Sequence, residues 1–161
     1  MRMPKRLYVD FHRCTGCGLC VDVCSLRNAG IASPDNSNVL IHRDEAAGIF
    51  QPLVCLQCDA HPCVEACPQE AIQLDSAMAI YKVDPKLCIA CGICQDECIY
   101  LGIKVGDAVA RKCDLCSGEP ICASVCLPGA IQFRDSDLTE MNAAFGKRAA
   151  EIKGMRKQAD D

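Results

Sequence analysis

The sequence has no tryptophan, only 4% aromatic residues, and no run of about 18 apolar residues anywhere. The first two absences leave too little bulk for a large aromatic core, so a 161-residue chain needs other cross-links to hold its shape. The third excludes a helix that spans a membrane by itself. A phosphate-binding glycine loop, a dinucleotide fingerprint and a Ser/His/Asp set are also missing, which leaves no sign of a substrate site. The N-terminal stretch MRMPKRLYVDFHRC runs from basic residues straight into Asp10 without the apolar core of a secretory signal. A reducing, cytoplasmic location is therefore expected unless a partner carries an export signal for both. Eight disulfides are then a poor account of the cysteines.

What is present in excess is cysteine, at 16 residues. They fall in four runs: Cys14/Cys17/Cys20/Cys24, Cys55/Cys58/Cys63/Cys67, Cys88/Cys91/Cys94/Cys98 and Cys113/Cys116/Cys122/Cys126. A third cysteine within one short loop of a C-x-x-C pair is the spacing of a cubane iron-sulfur cluster, whose adjacent corners are reached by successive backbone turns. The fourth corner is supplied from elsewhere, and in two-cluster ferredoxins by the last cysteine of the other run. Zinc sites use two well-separated pairs, whereas runs one and three crowd three cysteines into seven residues, with a fourth four residues on. Sixteen cysteines saturate four [4Fe-4S] clusters, so His12, His42 and His61 are not needed as ligands. Arg111, Lys112, Lys82 and Lys86 flank cysteines and can offset cluster charge. Each cluster adds roughly two negative charges, moving the formal net charge of -4 to about -12. Nucleic acid is excluded as a partner on that ground.

The runs repeat. Val9-Asp10 leads into run one and Val83-Asp84 into run three with identical cysteine spacing; runs two and four follow with C-x-x-C-x4-C-x3-C and C-x-x-C-x5-C-x3-C. The expected fold is α+β: two ferredoxin-like cluster-binding units related by internal duplication, with short antiparallel ribbons, short helices and a C-terminal helix. After Cys67-Pro68, Ala71–Leu74 and Ala79–Val83 read as a hairpin joining runs two and three into an inner unit, residues 52–100. By symmetry Arg6–Val9 pairs with Ala130–Phe133, joining the chain's two ends in an outer unit of 6–27 with 108–133. The whole cluster-binding domain is then 6–133, with 28–51 a linker loop containing a short Val39–Ile41 strand. The resulting ligand sets are Cys14, Cys17, Cys20 with Cys126; Cys113, Cys116, Cys122 with Cys24; Cys55, Cys58, Cys63 with Cys98; and Cys88, Cys91, Cys94 with Cys67. Helices over Leu19–Leu26 and Ile93–Tyr100 carry the fourth cysteine of runs one and three towards the neighbouring cluster.

Residues 134–161 have no cysteine. Leu138, Met141, Phe145, Ala149, Ile152 and Met155 recur at helical spacing, Asp137 with Glu140 suits an N-terminus, and Lys153, Arg156 and Lys157 suit the other end. The apolar stripe of this helix covers either its own domain or another subunit, and Gly146 and Gly154 favour a helix formed against something.

In order, CTGCGLCVDVC, CLQCDAHPCVEACP, CIACGICQDEC and KCDLCSGEPICASVCLPGAI resemble the four-cluster iron-sulfur subunits that serve dimethyl sulfoxide reductase, formate dehydrogenase, nitrate reductase and hydrogenase-linked complexes. Smaller relatives serve tungsten-pterin aldehyde oxidoreductases and benzoyl-CoA reductase complexes. The resemblance covers Arg6–Phe133, about four fifths of the chain. It implies pairing of run one with four and two with three, four [4Fe-4S] clusters and no catalysis by the chain itself. It also implies a pterin-containing tungsten or molybdenum catalytic subunit, most of all an aldehyde oxidoreductase-like one, with a flavin/NAD subunit or ferredoxin as the further partner. A free polyferredoxin shuttle is the alternative, and self-association into a longer conductor a further expectation. Two features depart from the family: Cys126-Leu127-Pro128 replaces cysteine followed directly by proline, and the linker between runs three and four is short.

Overall fold

A computed structural model describes residues 5–135 and 145–160. The strands are β1 (Lys5–Val9), β2 (Val39–Asp44), β3 (Ile49–Val54), β4 (Ile72–Asp75), β5 (Ile80–Val83), β6 (Ile103–Val105), β7 (Ala110–Lys112) and β8 (Ile131–Asp135). The helices are α1 (Leu19–Ala29), α2 (Pro62–Glu65), α3 (Ile93–Glu97), α4 (Ile121–Ser124) and α5 (Lys147–Asp160). Every strand belongs to a two-stranded antiparallel ribbon: β1 with β8, β2 with β3, β4 with β5, β6 with β7.

The ribbon expected from the two chain ends is present, with Lys5 opposite Asp135 and Val9 opposite Ile131. The expected hairpin is present as β4 and β5, Ile72 opposite Val83. Asp75 ends β4 and receives Lys82 Nζ at 2.6 Å across the ribbon, and this hydrogen bond holds its carboxyl below the ordinary range.

The stretch 28–51 is not a loop with one short strand. It holds all of β2 and the start of β3, a six-pair hairpin in which Ile41 faces Pro52. Gln51-Pro52 reads as a breaker in sequence, yet a two-stranded ribbon has only edge strands, where proline needs no ladder partner. The β6–β7 hairpin was likewise not expected, because three-residue strands leave almost no alternation to read. Helix α1 runs three residues past Leu26 and is closed by Gly30 at φ +72°, whose N–H returns to Leu26. Helix α3 stops at Glu97, because Cys98 is extended.

The core is small: Leu7, Val39, Leu53, Val54, Leu56 and Ile131 are buried, and eight of the sixteen cysteines are buried with them. Helix α5 folds onto this body. Phe145, Ala149 and Ile152 are fully buried, the Phe145 ring lies 5.5 Å from that of Tyr100, and Arg148 pairs with Asp44 at 3.5 Å. Of the stripe read from sequence, Leu138 and Met141, the side chain of Met155 and the expected N-terminus at Asp137 and Glu140 lie outside the described residues.

Candidate metal centres

The first C-x-x-C pair of each run turns through a left-handed residue immediately before its second cysteine: Gly16 at φ +71°, Gln57 at +53°, Ala90 at +53° and Leu115 at +55°. This bend aims two side chains one way and turns a backbone N–H inward. Gly16, Gln57 and Leu115 each donate that N–H to the first cysteine of their run, at 3.4 Å from Cys14, Cys55 and Cys113 Sγ. Cys88 Sγ accepts instead from Ala110 N at 3.3 Å, across the molecule.

The fourth cysteines are also supplied with donors. Ala71 N reaches Cys67 Sγ and Gly102 N reaches Cys98 Sγ, both at 3.3 Å, and Ile131 N reaches Cys126 Sγ at 3.4 Å. In all three places the residue three after the cysteine is left-handed and its N–H closes onto the cysteine carbonyl: Glu70, Leu101 and Gly129. The departure at Cys126-Leu127-Pro128 therefore leaves the turn intact. Leu127 takes the place of Pro68 and points to solvent, 93% exposed. Cys24 differs, staying inside α1 and accepting from Asn38 N at 3.3 Å and Asn28 Nδ2 at 3.6 Å.

Two groups of four sulfurs each share a cavity. Cys14, Cys17, Cys20 and Cys126 line one cavity with apolar walls from Leu19, Ile41, Pro52 and Val125, about 320 Å³ with its mouth. Cys67, Cys88, Cys91 and Cys94 line a second, of about 340 Å³, walled by Ile72, Val83, Ile89 and Ala110. Burial pushes the Cys63 thiol up to about 12, with Lys112 opposing and Cys55, Cys98 and Cys58 adding repulsion. Burial likewise pushes Cys122 up to about 12, with repulsion from Cys24, Cys116 and Cys20. Cys20 reaches about 12 by burial and then by Cys14, Cys126 and Cys17, and Cys94 is raised by burial and then by Cys67, Cys88 and Cys91.

Two of the expected sets, Cys14/Cys17/Cys20/Cys126 and Cys67/Cys88/Cys91/Cys94, are thus each brought to one cavity. Buried thiols that repel one another stay protonated unless a positively charged core stands between them, and iron in a cluster deprotonates them outright. Inward N–H groups directed at sulfur suit thiolate acceptors. Among the described residues no three His, Cys, Asp or Glu side chains converge closely enough for one metal ion. The donor set fits [4Fe-4S] clusters.

Three neighbours of the sulfurs carry roles the sequence does not signal. Gln57 is buried, and its side chain bridges Tyr81 and the Cys113 carbonyl. The Tyr100 hydroxyl is pushed up to about 12 by burial and then by Cys58 and Cys98, so it stays protonated beside them. Lys112 donates to Cys55 Sγ rather than to a sulfur of the run it precedes. His61 packs on Tyr81, ring centroids 4.3 Å apart, and burial lowers its pKa.

Residues 54–101 match the family described as a 4Fe-4S dicluster domain and residues 7–25 the 4Fe-4S binding domain. The polyferredoxin-like subunit of aliphatic sulfonate oxidoreductase from Pyrococcus furiosus is 37% identical over 71% of this chain, which spans 66% of that relative. The thiosulfate reductase electron transfer subunit PhsB of Salmonella typhi is 31% identical over 88% of this chain and 82% of its own length. In structure, a chain of the BamBC active site complex of benzoyl coenzyme A reductase aligns over 100% of both chains with a TM-score of 0.50 at 22% identity, a likeness of fold. Among the described residues no helix is long and apolar enough to cross a membrane. With the cysteine geometry and these relatives together, the chain belongs to the ferredoxin-type electron-transfer family, whose members carry multiple [4Fe-4S] clusters.

Proposed function

We propose that this chain is a relay of four [4Fe-4S] clusters joining a catalytic subunit to a second redox partner. The observation that carries this reading is the distribution of exposure. Only Cys17 and Cys91 of the sixteen cysteines are exposed, and they belong to two different sets, Cys14/Cys17/Cys20/Cys126 and Cys67/Cys88/Cys91/Cys94. The other two sets have three buried members each: Cys24, Cys113 and Cys122; Cys55, Cys63 and Cys98. These inner sets adjoin one another, since Gln57 bonds the Cys113 carbonyl at 2.7 Å and Lys112 bonds Cys55 Sγ at 2.8 Å. Two buried sets between two exposed ones is the layout of a wire with two terminals.

When bound, such clusters supply one-electron transfer. The sixteen cysteines hold them in the sets named above, backbone N–H groups orient the sulfurs, and apolar walls exclude water. The outer unit of 6–27 with 108–133 and the inner unit of 52–100 are read as internal duplicates, supported by the repeated left-handed turns. The catalytic partner is read as a pterin-dependent tungsten or molybdenum subunit, aldehyde oxidoreductase-like, with a flavin subunit or soluble acceptor at the other end. The naming of the relatives as subunits of oxidoreductases supports a bound role. A free polyferredoxin is the second reading, favoured by one observation: among the described residues, Phe145, Ala149 and Ile152 of the apolar stripe are buried on the chain's own body.

Anaerobic purification at native level, with iron, sulfide, tungsten, molybdenum and flavin measured on every peak, tests this. About sixteen iron per chain, coeluting with tungsten or molybdenum, is expected. About eight iron would overturn the four-cluster reading, and about sixteen on an isolated chain after low-salt lysis would establish the free shuttle.

A further inference from the structure

Of the cations that flank cysteines in sequence, Lys82 is paired with Asp75 at 2.6 Å, and Arg111 turns to Asn36 Oδ1 at 2.9 Å and the Asp35 carbonyl. Lys112 does otherwise. It ends β7 immediately before Cys113, yet its side chain crosses into the inner unit, where Nζ donates to Cys55 Sγ at 2.8 Å and to Gln57 Oε1 at 3.0 Å. Gln57 is held by Tyr81 N at 3.0 Å, Tyr81 O at 3.2 Å and Cys113 O at 2.7 Å, so the acceptor that steadies the ammonium is itself fixed. The sulfurs that bear on Lys112 are Cys55, Cys63 and Cys113, from both inner sets, but the hydrogen bond goes to one.

We propose that Lys112 raises the reduction potential of the cluster held by Cys55, Cys58, Cys63 and Cys98, making that site the electron well at the join of the two units. This rests on the four-cluster reading above. One added electron takes a cluster with its four thiolates from roughly 2− to roughly 3−, with no proton taken up; the electron comes from a reduced partner and leaves to an oxidised one. A fixed cation on a ligand sulfur stabilises the more negative state more, and hydrogen bonds to sulfur are a recognised control of potential. Lys112 is half-buried, so water and salt screen its charge less than they would at the open surface. Lys112 is thus a positioning and tuning residue whose partner is not the cluster next to it in sequence.

The test is a redox titration of the iron-loaded chain, followed by electron paramagnetic resonance, in wild type, Lys112→Gln, Lys112→Met and Lys112→Arg, with Cys63→Ser used to assign the signal. Wild type at about sixteen iron upholds the four-cluster premise and about eight rejects it, whatever the variants do. Both neutral variants are expected to keep their iron and to lower one midpoint, the signal altered by Cys63→Ser. The lowering is at least that of a tenfold change in the reduced-to-oxidised ratio, 59 mV for one electron. Lys112→Arg is expected to hold that midpoint near the wild-type value. Unmoved midpoints in the neutral variants, an arginine variant shifted as far as they are, or movement of a different signal would each overturn the proposal. Loss of about four irons in both neutral variants would overturn it too, assigning Lys112 a structural role instead.

Discussion

A methyl group on Gly102 would lie 2.3 Å from the Cys55 backbone nitrogen and 2.5 Å from its Cα, contacts no side-chain movement can relieve. The same glycine donates its N–H to Cys98 Sγ, so its backbone is pressed between two cysteines of one set. Gly102→Ala should therefore cost about 1–3 kcal/mol or more and lower bound iron, read by thermal unfolding and iron content. Gly30→Ala is the contrast: nothing lies within 4 Å of its would-be Cβ, and only the left-handed φ of +72° is strained. It should cost about 1–2 kcal/mol and leave iron unchanged. At Leu127, 93% exposed, substitution by serine should change stability by less than about 0.5 kcal/mol and keep all the iron. Iron loss there would show that the run-four turn needs this side chain after all. The cysteine runs were legible in spacing, whereas the demand on Gly102 was not, because it arises from a backbone 47 positions earlier.

At the scale of elements, the outer unit depends on a ribbon made from the two ends of the cysteine-bearing region. β8 follows Cys126 and has β1 as its partner, and Asp10 N extends the pairing to the Ala130 carbonyl at 2.8 Å. Deleting residues 1–9 should strip β8 of its ladder and open the sets containing Cys126 and Cys24, taking bound iron from about sixteen to about eight. Retention of all the iron would mean the sulfurs, not the ribbon, hold that unit. Helix α5 carries a different expectation. Its isolated sequence is a weak helix, but Phe145 and Ile152 are fully buried. Phe145→Ala should cost about 3–5 kcal/mol and Ile152→Ala about 2–5 kcal/mol in thermal or denaturant unfolding. Near-neutral results would return the helix to the role of a free docking arm. The choice between these roles could not be made from periodicity, since an apolar stripe states only that something covers it. The β2–β3 hairpin was missed for a related reason: an isolated ribbon tolerates a Pro52 that a central strand would refuse.

For the whole molecule, the apolar core is too thin to stand alone, and buried thiols take up much of its interior. Removing iron leaves raised-pKa sulfurs facing one another across two small apolar-walled cavities. The iron-free chain should lose its cooperative thermal transition and most of its far-ultraviolet circular dichroism, and regain both on anaerobic reconstitution. A cooperative transition surviving without iron would show that the ribbons and α5 suffice. The proposed order of the sets from one exposed end to the other is likewise a property of the assembled chain. It comes from Arg6 meeting Asp59 at 2.8 Å and Gln57 meeting Cys113, contacts that tie the outer unit to the inner one.

The number and spacing of the cysteines by themselves determined the kind of cofactor, because cluster geometry limits which short loops can reach its corners, and their repetition with similar flanking strands determined the pairing of the chain ends. Only the tertiary structure decided which cysteines face solvent, that α5 lies on its own body, and that Lys112 serves Cys55. Those depend on how two units pack, and the residues that meet there are far apart in the chain with no periodic signal linking them.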